Sequence, residues 1–137
     1  NMKKLYETKV TATGGRNGRV ESEDGIIQLD LRMPKGLGGD GGAYSNPEQL
    51  FAAGYSACFD GALNLVASQR KHSIKSKITA TVGLNSADDG FHLSVNLAAE
   101  IEGVDRDTAN ELLHLAHQVC PYSRATRNNI EVTLNLI

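Results

Sequence analysis

Only two cysteines, Cys58 and Cys120, occur in the 137 residues, and no segment with the make-up of a secretory signal precedes them. That pairing of absences predicts a reducing, cytoplasmic setting, where two thiols are more often chemical than structural. No apolar run looks long enough to cross a bilayer, so no membrane partner is expected. Excess basic charge is lacking as well. A net charge of -2 and a pI near 6.1 leave no surface of the kind nucleic acid demands. No internal repeat or low-complexity tract appears outside one glycine-rich loop. What remains, 40% hydrophobic and 22% charged residues, is ordinary for a globular chain and suffices for a single domain over residues 2–137. Asn1, ahead of Met2, reads as foreign to the natural chain and is set aside.

The stretch from Ser45 to Arg70 organises everything else. Asn46 is a good helix N-cap, Pro47 suits the first helical position, and Gln49 sits three residues after the cap. Leu50, Phe51, Tyr55, Cys58, Phe59, Leu63 and Val66 wrap too far round the cylinder to form one stripe, which predicts a helix buried on most sides. At 1.5 Å per residue it spans roughly 35 Å, about the width of a small domain.

Before that helix, residues 3 to 13 alternate like a strand, Val20 marks a second, and Ile26 to Met33 alternates with Ile27, Leu29, Leu31 and Met33 inward. Five glycines in the seven residues from Gly36 to Gly42 can only be loop. After the helix come strands at Ser76 to Leu84 and Phe91 to Ile101, a second helix capped by Asp105 and ending before Pro121, and a last strand, IEVTLNLI. The order βββαββαβ predicts an α+β fold, antiparallel sheets packed around a long buried central helix plus a second helix.

The glycine loop ahead of a helix invites a phosphate, since helix N-termini attract anions. No Lys-Ser or Lys-Thr follows it, and Glu48 already occupies the helix's first turn, so a phosphate site is not expected. Cys58 lies mid-helix among apolar residues, where burial raises a thiol's pKa; to react, it needs a cation from elsewhere. Cys120 closes the second helix, whose negative dipole end also disfavours a thiolate. The residues alone leave a functional pair and two structural cysteines equally open. A zinc site from Cys58, His114, His117 and Cys120 is the rival chemistry. Steps of three drift round a helix, no CxxC supports it, and no metal is expected.

Three stretches carry a resemblance. TATGGRNG (Thr11 to Gly18), GLGGDGG followed by NPEQLFAAGYSACF (Gly36 to Phe59), and VCPYSRATRNNIEV (Val119 to Val132) resemble, in one order and with matching spacing, the signatures of the organic hydroperoxide resistance (Ohr) family within the OsmC/Ohr superfamily. GYSACF and VCPYS together favour the Ohr branch. Arg124 and Asn128 depart from it, standing where smaller or more variable residues are expected.

The resemblance implies a thiol-dependent peroxidase that reduces organic hydroperoxides, alkyl or lipid, to alcohols. Cys58 matches the peroxidatic cysteine, Cys120 the resolving one, Arg16 the activating arginine and Glu48 its carboxylate partner. A guanidinium would supply the charge that Cys58 lacks, and Glu48 would hold it through a bidentate pair. Arg19 lies outside the motif and ranks below Arg16. Phe51, Tyr55 and Phe59 would favour alkyl or lipid-like substrates, with plain core packing as the rival role, and the commoner one, for each of them. Cys58 would pass through a sulfenic acid to a Cys58–Cys120 disulfide, which requires the second helix to end against the middle of the first. A dihydrolipoyl group, usually carried on a lipoylated protein, is the implied reductant, with no bound cofactor. Glu48 and Cys58 are about 15 Å apart along a straight helix. That separation predicts a homodimer with each active site at the subunit interface, where a neighbouring chain brings Arg16, with or without Glu48, to the thiol, action within one chain staying open; the resemblance implies that the two chains intertwine.

Overall fold

In the computed structural model, which describes residues 1–137, the chain forms two compact units, Asn1–Leu50 and Phe51–Ile137. The first holds a small antiparallel sheet, β1 (Val10–Thr13), β2 (Arg19–Ser22) and β3 (Gln28–Asp30), with Val20 opposite Ala12 on one side and Leu29 on the other. The first strand is shorter than residues 3–13 because β2 ends after four residues, at the turn that Asp24 and Gly25 make, so the earlier alternation has no ladder to join. Of the four side chains expected inward, only Leu31 is buried; Ile27 and Leu29 are each 37% exposed. β3 is an edge strand of three residues, and an edge strand so short leaves part of each side chain open.

Helix α1 (Pro47–Gln69) begins as its cap predicts, with the Gln49 N–H donating to Asn46 Oδ1 at 2.8 Å. It is less buried than its composition suggests. Tyr55, Phe59, Ala62, Leu63, Val66 and Ala67 face the core, but Ala53, Ala57, Gly61 and Leu65 lie exposed at four-residue intervals along the opposite face. The expectation that no segment is apolar enough for a bilayer also needs correcting, since α1 meets that test of length and composition. Its inward face is nevertheless spent on protein packing.

In the second unit, β4 (Lys75–Ala87) and β5 (Gly90–Glu102) make a long antiparallel hairpin. After β5 come α2 (Arg106–Val119), α3 (Pro121–Thr126) and β6 (Val132–Leu136). Asp105 caps α2 by accepting the Thr108 N–H at 2.7 Å. Here the all-antiparallel expectation fails: β6 pairs with β5 in parallel, Val95 opposite Val132 and Ala99 opposite Leu136. The helical pair between them is a crossover, and a crossover returns the chain in the same direction. The second helix ends before Pro121 as expected, and a short third helix that was not expected follows it. Pro121 cannot continue α2, and its fixed φ suits the first turn of a new helix; Cys120, constrained to extended backbone by the following proline, is the corner. Tyr55, Phe59 and Leu63 of α1, Leu97 of β5, and Leu112 and Leu113 of α2 form the buried core of this unit.

Candidate active site

The turn carrying Arg16 is built by close backbone approach. Gly14 and Gly15 both adopt positive φ, and a Cβ on Gly18 would fall 1.7 Å from the Thr13 carbonyl oxygen. Asn17 fastens this turn to the chain after β3, its Oδ1 accepting the Met33 N–H at 3.0 Å, while Arg32 donates to the Asn17 carbonyl at 3.3 Å. Arg32 itself lies over the Tyr44 ring, 4.7 Å from its centroid, a favourable cation–π distance.

Arg16 and Glu48 meet within one chain. Nη1 donates to Oε2 at 3.0 Å and lies 2.7 Å from Oε1, so one guanidinium nitrogen straddles the carboxylate and the two-pronged fork is not formed. Oε1 is buried and receives no aligned hydrogen bond; the shorter distance is a charge contact, whereas the directed bond goes to Oε2. Arg19 is otherwise engaged, its Nε donating to Glu21 at 2.6 Å and its Nη1 to Asp30 at 2.9 Å. Both carboxylates raise its pKa further, and the guanidinium faces its own sheet.

The thiols, 62 positions apart in sequence, are neighbours in the second unit. Both are free, and the Cys120 S–H donates to Cys58 Sγ at 3.8 Å. A disulfide is about 2.05 Å long, so closure needs an approach of under about 2 Å. Their surroundings differ: Cys58 is partly exposed, Cys120 fully buried. Burial pushes the Cys58 thiol up, the backbone N–H of Tyr122 pulls it down, and the adjacent Cys120 adds to the rise. Cys120 is the C-terminal cap of α2 and also the N-terminal cap of α3, so the negative dipole end foreseen for it is offset by the start of the next helix.

Of the three aromatic candidates, Phe51 alone keeps exposed surface; Tyr55 and Phe59 are fully buried. Tyr122 of VCPYS, which no periodicity in the sequence marks as a neighbour of α1, completes a cluster, its ring centroid lying 5.7 Å from that of Tyr55 and 6.3 Å from that of Phe51. Its ring lies against α1 because residue 54 is glycine; a Cβ there would come 2.8 Å from the Tyr122 hydroxyl.

The histidines do not converge with the cysteines as ligands. No group of three metal-binding side chains gathers anywhere in the chain. His114 is exposed, whereas His117 turns its Nδ1 to Ser123 Oγ at 2.8 Å. Ser123 Oγ also meets the Tyr55 hydroxyl at 2.8 Å, and that hydroxyl reaches Thr126 Oγ1 at 3.3 Å. Burial lowers the His117 pKa, with Arg127 and His114 adding repulsion. The only hint of this network in sequence was Ser123 and Thr126 spaced three apart after a helix-starting proline.

An OsmC-like protein family model matches residues 38–135. The organic hydroperoxide resistance protein of Xanthomonas axonopodis pv. citri is 48% identical over 136 residues, covering 98% of this chain and 96% of that one. OhrB, the organic hydroperoxide resistance protein of Bacillus subtilis, is 46% identical over 96% of this chain and 98% of its own. Among solved structures, an organic hydroperoxide resistance protein from Elizabethkingia anophelis superposes with a TM-score of 0.94 at 54% identity, covering 98% of each chain.

Proposed function

Since the chain belongs to the OsmC-like protein family, in its organic hydroperoxide resistance branch, we propose that it detoxifies organic hydroperoxides as a thiol-dependent peroxidase. The observation that carries this reading is the pair of free thiols at 3.8 Å, one reachable from solvent and one buried, on the family's two cysteine motifs. The Cys58 thiolate attacks the outer oxygen of the hydroperoxide; the O–O bond breaks, the hydroxyl passes to sulfur to give the Cys58 sulfenic acid, and the alkoxide leaves as the alcohol by taking up a proton equivalent to the one the thiol released on ionising. Cys120 then attacks that sulfur. The S–O bond breaks, a disulfide forms, and the hydroxyl leaves with the thiol proton as water.

Cys58 is buried enough to resist ionising, so the reaction needs a permanent positive charge. Arg16 supplies it in this reading, with Glu48 holding the guanidinium, a role supported by their contact and by the TATGGRNG and NPEQ motifs. Phe51 and Tyr122 offer the exposed aromatic surface that favours alkyl chains, and Tyr55 and Phe59 support it from the core. A dihydrolipoyl dithiol, free or on a lipoylated protein, reduces the disulfide, and the reducing cytoplasm suits the cycle. Residues 2–137 act as one catalytic domain, in keeping with a family match that starts in the first unit and runs through the second, and two chains form a homodimer.

Peroxide consumption measured with alkyl hydroperoxides of increasing length and with hydrogen peroxide, against dithiol and monothiol reductants, tests the reading. Cys58→Ser is expected to abolish turnover, and Cys120→Ser to allow one oxidation and then stall or overoxidise. Sulfenic acid found on Cys120 and not on Cys58 would reverse the two roles.

A further inference from the structure

We infer that Ser123, tied to Tyr55 of α1 and His117 of α2, is a positioning residue that seats the start of α3 and so presents both the Cys120 thiol and the Tyr122 N–H to Cys58. The inference rests on the peroxidase reading for what it does to turnover, but its geometry stands apart from it.

The residues between Cys120 and Ser123 are only Pro121 and Tyr122. Both groups that act on the Cys58 sulfur, the Cys120 S–H at 3.8 Å and the Tyr122 amide, therefore belong to the first turn of α3. A helix of six residues is too short to hold itself in place. Something must fix it, and Ser123 is the fully buried polar side chain in that turn.

The hydrogen bonds can be assigned. Thr126 Oγ1 donates to the Ser123 carbonyl at 3.2 Å, so it has only lone pairs for Tyr55. The two shorter contacts define a directed chain in which the Tyr55 O–H donates to Ser123 Oγ and the Ser123 O–H donates to Nδ1 of a neutral His117. If His117 is protonated, the chain reverses: Nδ1–H donates to Ser123, Ser123 to Tyr55, and Tyr55 to Thr126 at 3.3 Å. Either way every hydroxyl is satisfied, and α3 stays bonded to both long helices. Removing the serine hydroxyl leaves the buried Tyr55 hydroxyl and the half-buried His117 nitrogen without that partner; α3 loses its side-chain tie to α2 and keeps only the longer Tyr55–Thr126 contact to α1, at 3.3 Å.

Three variants test this: Ser123→Ala, Ser123→Thr and Tyr55→Phe. Cys58 is titrated by thiolate absorbance without peroxide, and disulfide formation is timed after one equivalent of an alkyl hydroperoxide, with dimedone capturing any lingering sulfenic acid. For Ser123→Ala the Cys58 titration is expected to move to higher pH, disulfide formation to slow by roughly tenfold or more, and the dimedone adduct to accumulate. Ser123→Thr, which keeps a hydroxyl, restores most of both, as a merely space-filling role would not require. Tyr55→Phe moves both readouts the same way and decides the matter if Ser123→Ala does not fold. If the wild-type protein forms no disulfide with any hydroperoxide, the peroxidase reading fails while the titration still reports on the seating of α3. Folded Ser123→Ala and Tyr55→Phe proteins whose titration and disulfide rate stay within about twofold of wild type, less than one ordinary hydrogen bond is worth, would overturn the inference.

Discussion

Arginine at position 16 is distinguished from arginine at position 19 by partners and not by chemistry. Arg19 is bound on its own sheet by Glu21 and Asp30, whereas Arg16 is held by the single carboxylate of Glu48 and keeps donors to spare. Arg16→Ala is expected to lower kcat/KM for an alkyl hydroperoxide by about a hundredfold, the cost of removing one preorganised donor. Arg16→Lys should recover little, because an ammonium cannot hold a carboxylate and still offer a planar donor edge. Arg19→Ala should cost only a small change in thermal midpoint. An Arg19 variant that lost activity as Arg16→Ala does would reverse the ranking.

His117 gives the residue scale a pH signature. Its pKa is lowered in the fold by burial, Arg127 and His114, so the unfolded chain binds its proton first as pH falls. The stability that neutral His117 contributes is thus present above the ordinary histidine value of about 6.5 and is lost as pH falls through the folded value. Urea denaturation at a series of pH values should show the gap between wild type and His117→Gln narrowing below about pH 6.5. A gap that widened there would contradict the assignment of a neutral ring.

At the scale of elements, α1 and α3 touch where a side chain is missing. Gly54→Ala should help the isolated helix by about 1 kcal/mol, yet its methyl group would displace Tyr122, whose hydroxyl lies 2.8 Å from the added carbon. The expected result is a protein with an unchanged or raised melting temperature and a raised KM for long-chain hydroperoxides. A variant that melts lower with unaltered KM would mean that the ring simply moves aside. Asn128 belongs to this scale too. It departs from the expected family pattern but sits at φ 65° just after α3, a conformation asparagine adopts more readily than most residues.

For the whole molecule, the exposed apolar residues on both units support association. Leu65, 53% exposed, continues the face of Ala53, Ala57 and Gly61, and Ile27, just before β3, and Leu29 on it are exposed. Sedimentation should give a dimer for the wild-type chain, with Leu65→Glu shifted toward monomer. Mixed dimers of Arg16→Ala and Cys58→Ser chains would regain activity only if the two residues act across chains. A fully active monomer would defeat the dimer.

The sequence determined what depends on near neighbours. Asn46 and Asp105 cap their helices through bonds spanning three residues, and period and breakers marked the element order, so these were legible without coordinates. The three motifs likewise named Arg16, Glu48, Cys58 and Cys120, because each motif is a local string. Tertiary structure alone decided the rest. Whether β6 runs parallel depends on a crossover, whether α1 is covered depends on what packs against each face, and whether a tyrosine 68 positions from a serine becomes its hydrogen-bond partner depends on the whole core closing. Local periodicity carries no information about which distant residue will fill the space opposite. For that reason Tyr122, Ser123 and His117 could be read in the string without their contacts with α1 and with one another being visible.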